Sequence, residues 1–160
     1  MAVLVNPTSP AISGEITQAL QAAADRLRLR LHIERGSTDF DLDAVFARLA
    51  RLPADGLVIA SDAFFTSRVG HLAERSNQYG IPGVYWSREY VVAGGLLSYG
   101  TSYIEAYRQA GIYAGRILRG ERPYEMPVQQ ASRIELYINL RAATAFGLFT
   151  VKPAPISVST

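Results

Sequence analysis

An α/β fold is predicted, with a mainly parallel sheet and helices on both of its faces, and three observations predict it. From residue 2 to about residue 100, short apolar runs alternate with longer segments of helical periodicity, which is the pattern of successive βα units. The segments are separated by turn and breaker residues: Asn6-Pro7, Pro53 to Gly56, Gly80 before Ile81-Pro82, and Gly120 to Pro123. Three apolar runs between Gly56 and Gly100 each stop at a cluster of polar, aromatic and charged residues. Ligands of open α/β sheets bind outside the carboxyl ends of the strands, so these clusters mark a candidate binding site.

The elements follow in order. Ala2 to Val5 is a strand halted by Asn6-Pro7, because proline fixes φ and removes a donor. Ser9 or Ser13 can cap a helix from about Ala11 to Leu29, with Ile16, Leu20, Ala23, Ala24 and Leu27 on one face. Leu29, Leu31 and Ile33 alternate with Arg30, His32 and Glu34, so the period changes to two and a second strand is expected. Asp39 and Asp41 open a helix over Leu42 to Arg51, where acids favour the positive end of its dipole. Strands are expected at Leu57 to Ala60, Ile81 to Tyr85 and Gly95 to Tyr99, with a helix from Phe64 or Thr66 to Tyr79 ended by Gly80. Thr101 or Ser102 caps a long helix to about Arg119, whose Ile104, Tyr107, Ala110, Gly111, Ala114, Ile117 and Leu118 form a broad apolar stripe. Val128 and then Ile134, Leu136 and Ile138 read as extended segments, and Leu140 to Phe146 as a short helix stopped by Gly147. The tail TVKPAPISVST, rich in proline and small polar residues, is expected to fray.

A chain of 160 residues suits one compact domain. With 49% hydrophobic and 19% charged residues it has the composition of a folded globular protein. Sixteen Lys and Arg against fourteen Asp and Glu leave a net charge of +2 without any basic block, so nucleic acid is not an expected partner. The absence of cysteine excludes disulfides, a thiolate nucleophile and sulfur-ligated metal. No run spans a bilayer, and MAVLVNPTSP has neither the charged region nor the apolar stretch of a signal peptide, so no export signal is expected in this sequence.

The candidate site residues are Asn6, Thr8, Ser9, Ser61, Asp62, Phe64, Tyr85, Trp86, Arg88, Glu89 and Tyr99. An aromatic wall beside separately placed donors and acceptors fits a small polar or aromatic organic molecule. Asn6, Thr8 and Ser9 either hold an anion at the start of a helix or form an ordinary turn and cap. Asp62, after Ser61, either accepts from a ligand amino group or caps the next helix. Phe64 and Phe65 point about 100° apart on a helix, so at most one can face the cleft while the other enters the core, with Phe64 assigned to the cleft. Trp86, the chain's sole tryptophan, offers a stacking surface beside Tyr85. Arg88 takes a ligand carboxylate or pairs on the surface with Glu89 or Asp62. Tyr99 and Ser102, closing the fifth strand and capping the long helix, either touch ligand from the hinge or serve only as packing and cap. His32 and His71 have no further ligands in register, so no metal is expected. No histidine stands at a strand end to complete a nucleophile, and no phosphate-cradling glycine loop or G-x-S-x-G occurs; neither catalysis nor a cofactor is expected.

The strings AVLVNPTSP, SDAFFTSR, IPGVYWSREYVVAGGLLSYGTSYIEAYRQAGIYAGRILRGERPYEMPVQQ and ELYINLRAATAFGL together resemble the solute-binding components of ABC-type uptake transporters. The resemblance runs from Met1 to about Leu148 and implies a periplasmic-binding-protein type I lobe with a Rossmann-like sheet. Such proteins are about twice this length, exported or lipid-anchored, and close two α/β lobes on a solute, which they deliver to a membrane permease. The resemblance makes this chain the second half. Met1 to about Val91 would belong to the C-terminal lobe, residues 94–120 would cross to the missing lobe, Pro127 to Leu148 would return, and 149–160 would be a tail without the family's helical ending. It implies a periplasmic or extracytoplasmic location and an amino-acid-like or other small solute bound without chemistry. A ligand-sensing domain of a regulator or receptor, or a remnant that no longer binds, are the alternatives. The apolar stripe of the helix over 101–119 must be covered, which predicts a homodimer or domain-swapped oligomer through that helix.

Overall fold

The computed structural model describes residues 1–52, 54–128 and 133–148. Its strands are β1 (Ala2–Val5), β2 (His32–Arg35), β3 (Leu57–Ile59), β4 (Gly83–Tyr85), β5 (Leu97–Thr101) and β6 (Ile134–Ile138). Its helices are α1 (Pro10–Leu27), α2 (Asp39–Leu49), α3 (Ala63–Thr66), α4 (Val69–Gln78), α5 (Arg88–Val92), α6 (Tyr103–Leu118) and α7 (Leu140–Ala145). The strands form one sheet in the order β2-β1-β3-β4-β5-β6. Neighbours from β2 to β5 run parallel, and β6 closes the edge antiparallel to β5. The expected α/β architecture with a mainly parallel sheet is therefore present.

Register assigns the two faces. Ala2 and Leu4 lie beside Leu57 and Ile59, and through Gly83 the same face reaches Tyr85 and Ser98. Against it pack Leu42, Val45, Phe46 and Leu49 of α2, Phe65 of α3, Leu72 of α4 and Tyr90 of α5, all fully buried or nearly so. On the other face Val3, Val5 and Val58 meet Ile16 and Leu20 of α1. The same face continues through Val84 to Leu97, Tyr99 and Thr101 of β5, opposite Ile138, Leu136 and Ile134 of β6. There Tyr99 stays 60% exposed and Ile134 and Leu136 57% each, so an apolar sheet face lies open. None of the residues of α6 is buried either.

Several boundaries differ from the sequence expectation for definable reasons. β2 starts at His32, which pairs with Ala2, rather than near Leu29; ahead of it the Met1 amino group donates to the Arg30 carbonyl at 3.1 Å. α1 ends at Leu27, where Arg28 adopts the left-handed conformation at φ 56° and Leu29 N–H closes on the Ala24 carbonyl at 2.9 Å. The single helix expected before Gly80 is two: the Phe64 carbonyl accepts from the Ser67 hydroxyl at 2.8 Å, and Arg68 N–H bonds Phe65 instead, which interrupts the ladder between α3 and α4. α2 starts at Asp39 because Thr38 and Asp41 form a reciprocal capping box. α5 was not foreseen, Val128 is not in a strand, and the tail from residue 149 lies outside the described residues. No helix among the described residues is long and apolar enough to cross a membrane.

Tyr85 locks the centre of the core. Its ring stacks on Tyr90 at 4.4 Å, and its hydroxyl, which burial pushes up to about 12, donates to Ser76 Oγ at 2.9 Å. The ring occupies a slot that two glycines leave open. A Cβ on Gly95 would lie 2.7 Å from Tyr85 Cε2, and one on Gly83 would run into the phenol itself. Gly83→Ala and Gly95→Ala are each expected to lower stability by about 1–3 kcal/mol, as overpacking does, measured by urea unfolding at pH 7.

Candidate functional site

The parallel register brings the carboxyl ends of β1, β3, β4 and β5 to one edge of the sheet, and most of the predicted residues collect there in two groups. In the first, after β1 and β3, Asn6 is 6% exposed and its Nδ2 donates to Asp62 Oδ1 at 2.8 Å. The Asn6 Oδ1 accepts from the backbone N–H and the hydroxyl of Thr8 at 3.0 and 2.8 Å. Asp62 also accepts from Phe64 N–H at 2.8 Å, capping α3, and from Ser9 Oγ at 3.5 Å. Asn6, Thr8, Ser9 and Asp62 are thus one network joining two βα turns, and a carboxylate of the protein already sits where a ligand anion was expected. Ser61 stands exposed at its margin.

The second group follows β4. Trp86 is half-buried, with its ring edge-on to Tyr90 at 4.9 Å. Arg88 and Glu89 open α5 and are exposed. Together with Ser98, Gly100, Glu105 and Tyr137 they line a cavity of about 270 Å³. Gly100 is required for its shape: a Cβ there would collide with the Trp86 carbonyl, so only glycine lets β5 pass so close to the end of β4.

Three predicted residues stand elsewhere. Tyr85 is 2% exposed and belongs to the core, not the crevice, because its side chain points to the face covered by α2 and α4. Tyr99 alternates with Ser98 and Gly100 and therefore projects from the opposite face of the sheet. Phe64 is half-buried and packs on Phe65, with the Arg68 guanidinium 3.8 Å above its ring, so its face is covered by the protein itself. Phe65 is in the core, as expected.

Sequence reasoning missed Glu105, Arg133, Glu135 and Tyr137. Alternation along β6 separates Glu135 and Tyr137 from Ile134, Leu136 and Ile138, but only the antiparallel pairing of Tyr137 with Ser98 puts them at this cavity. The charges there divide into paired and free groups. Glu105 accepts from Arg108 Nε and Nη2 at 2.8 and 2.5 Å, which holds its carboxyl at about 2. Glu135 accepts from the Tyr137 hydroxyl at 3.1 Å and pairs with Arg133 at 3.1 Å. Among the described residues neither Arg88 nor Glu89 has an ion-pair partner. A free guanidinium and a free carboxylate therefore flank a partly open indole. Asp62→Ala should cost about 1–2 kcal/mol by removing the α3 cap and the tie to Asn6, with Asp62→Asn closer to wild type in thermal denaturation.

Comparison with known proteins bears on the whole arrangement. The family model for ABC transporter substrate binding proteins matches residues 2–153. No curated protein matches. Among solved structures, a conserved domain protein from Vibrio cholerae is 24% identical with a TM-score of 0.78, over 92% of this chain and 49% of that one. A ligand-free, open substrate binding protein with adhesive properties from Clostridium difficile is 23% identical with a TM-score of 0.70, over 99% and 52%. An ABC domain from Streptococcus pneumonia in complex with L-Trp is 17% identical with a TM-score of 0.75, over 92% and 51%. At these identities the neighbours establish the fold, and the chain spans about half the length of each. With the family model covering nearly all of its length, the chain belongs to the ABC transporter substrate binding protein family.

Proposed function

We propose that this chain supplies one jaw of a solute-binding protein, which holds a small polar or aromatic organic solute without chemistry and presents it to an ABC permease on the extracytoplasmic side of the membrane. The observation that carries this reading is Trp86 beside the free Arg88 and Glu89 in the cavity at the strand ends. An indole takes up apolar area, while a guanidinium and a carboxylate orient a molecule bearing both charges. An amino-acid-like solute has that chemistry, and the presence of L-Trp in the Streptococcus neighbour agrees with it. Asn6, Ser9, Ser61 and Asp62 form the rest of the rim, with Asp62 orienting the turns.

In this reading the second jaw belongs to the half of the fold that the neighbours have and this chain does not span, and α6 crosses toward it. The stripe of α6, with Tyr107 77%, Ile104 78% and Leu118 88% exposed, is then buried against another polypeptide surface. Each such side chain favours burial by about 1.5 kcal/mol. For the chain as it stands the surface is supplied by a second copy. Sedimentation should show a dimer or larger species at micromolar concentration, dispersed by Tyr107→Glu with Leu118→Glu; a monomeric wild type removes this part of the reading.

Because Trp86 is the sole tryptophan, its fluorescence reports the site directly. Titration with a panel of amino acids and aromatic acids is expected to give saturable change for at least one member, with Kd raised about tenfold by Arg88→Gln, the loss of one charged hydrogen-bonded contact. A panel without any saturable response would favour a remnant that no longer binds.

A further inference from the structure

We infer that Tyr137 positions the Arg88 guanidinium with its N–H edge free, so that the crevice selects solutes carrying a carboxylate; this rests on reading the crevice as a solute site. The Arg88 Cζ lies 4.8 Å from the centre of the Tyr137 ring. A guanidinium seated on an aromatic face is held through its π surface, and its five coplanar N–H donors stay available to a bidentate acceptor. An exposed arginine without such a seat would sample many rotamers, and ordering it would oppose binding.

The surrounding charges leave that edge unoccupied. Glu135, the acid nearest to Tyr137 in sequence, has one oxygen on the Tyr137 hydroxyl and the other on Arg133. Glu105 is engaged by Arg108 and Gln109. Glu89 follows Arg88 on a helix, where adjacent side chains diverge by about 100°. The Tyr137 hydroxyl has a separate task, fixing the ring by its bond to Glu135, while β6 pairing with Ser98 sets its depth. A carboxylate arriving at the open indole of Trp86 thus meets a cation that is seated on a ring and, among the described residues, in no ion pair.

The experiment uses the 160-residue chain labelled with ¹⁵N, the Nε–H resonances of its arginines, and propionate with propionamide as probes. In wild type and in Tyr137→Phe, the Arg88 Nε–H should lie upfield of that of exposed Arg141 through the ring current and should move on addition of propionate but not of propionamide. In Tyr137→Leu the upfield position should vanish and the propionate response weaken about tenfold, with unchanged circular dichroism. An Arg88 resonance indifferent to Tyr137→Leu, or one that propionate moves no more than exposed Arg141, overturns the inference. A propionate response at Arg88 alongside a solute panel that fails at Trp86 would retain the carboxylate seat and refute the transport reading instead.

Discussion

A parallel sheet is stable only when both of its faces are covered, and this chain meets that requirement unevenly. On one face α2, α3, α4 and α5 enclose Ala2, Leu4, Leu57, Ile59 and Tyr85, and the cluster is closed at its centre by the stacked Tyr85 and Tyr90 rings. On the other, α1 covers Val3, Val5 and Val58 and leaves Tyr99, Ile134 and Leu136 exposed. The well-covered face fixes the backbone from which the crevice is built. The open face and the uncovered α6 leave apolar side chains such as Tyr99, Leu136, Ile104 and Leu118 exposed.

The crevice inherits its geometry from that core. Tyr90, buried beneath it, holds α5 in place by donating to the Phe65 carbonyl at 2.9 Å and offers its ring to Trp86. Trp86, Arg88 and Glu89 are therefore carried on a rigid base even though their own ends reach solvent. Gly100 performs the complementary task, admitting β5 and with it Ser98 and the neighbouring Tyr137 to the same cavity. Asn6 and Asp62 contribute differently: their hydrogen bonds are directed at each other and at backbone, so they shape the rim more than they offer free groups.

Much of this was legible in the residues. The order of the strands, the long helix capped at Thr101 or Ser102 and the assignment of Phe65 to the core all follow from local periodicity and cap chemistry, whereas α5 and the break between α3 and α4 do not. The position of Trp86, Arg88 and Glu89 beyond a strand end was legible for the same reason. Tyr85 was misassigned because a tyrosine next to polar residues reads as a rim aromatic, whereas the slot between Gly83 and Gly95 that receives it is a packing feature. Tyr99 was misassigned because β5 runs two residues further than expected, and the face of a strand residue depends on parity within the paired register.

The sequence by itself determined the class of fold, the succession of its strands and longer helices, and the family resemblance, since these depend on the spacing of apolar residues and on motifs that are contiguous in the chain. Only the tertiary structure decided which polar groups remain free. Arg88 and Tyr137 stand far apart in sequence and meet because β6 pairs antiparallel with β5. That pairing is set by backbone hydrogen bonds and by burial across distant segments, and neither leaves a trace in local periodicity.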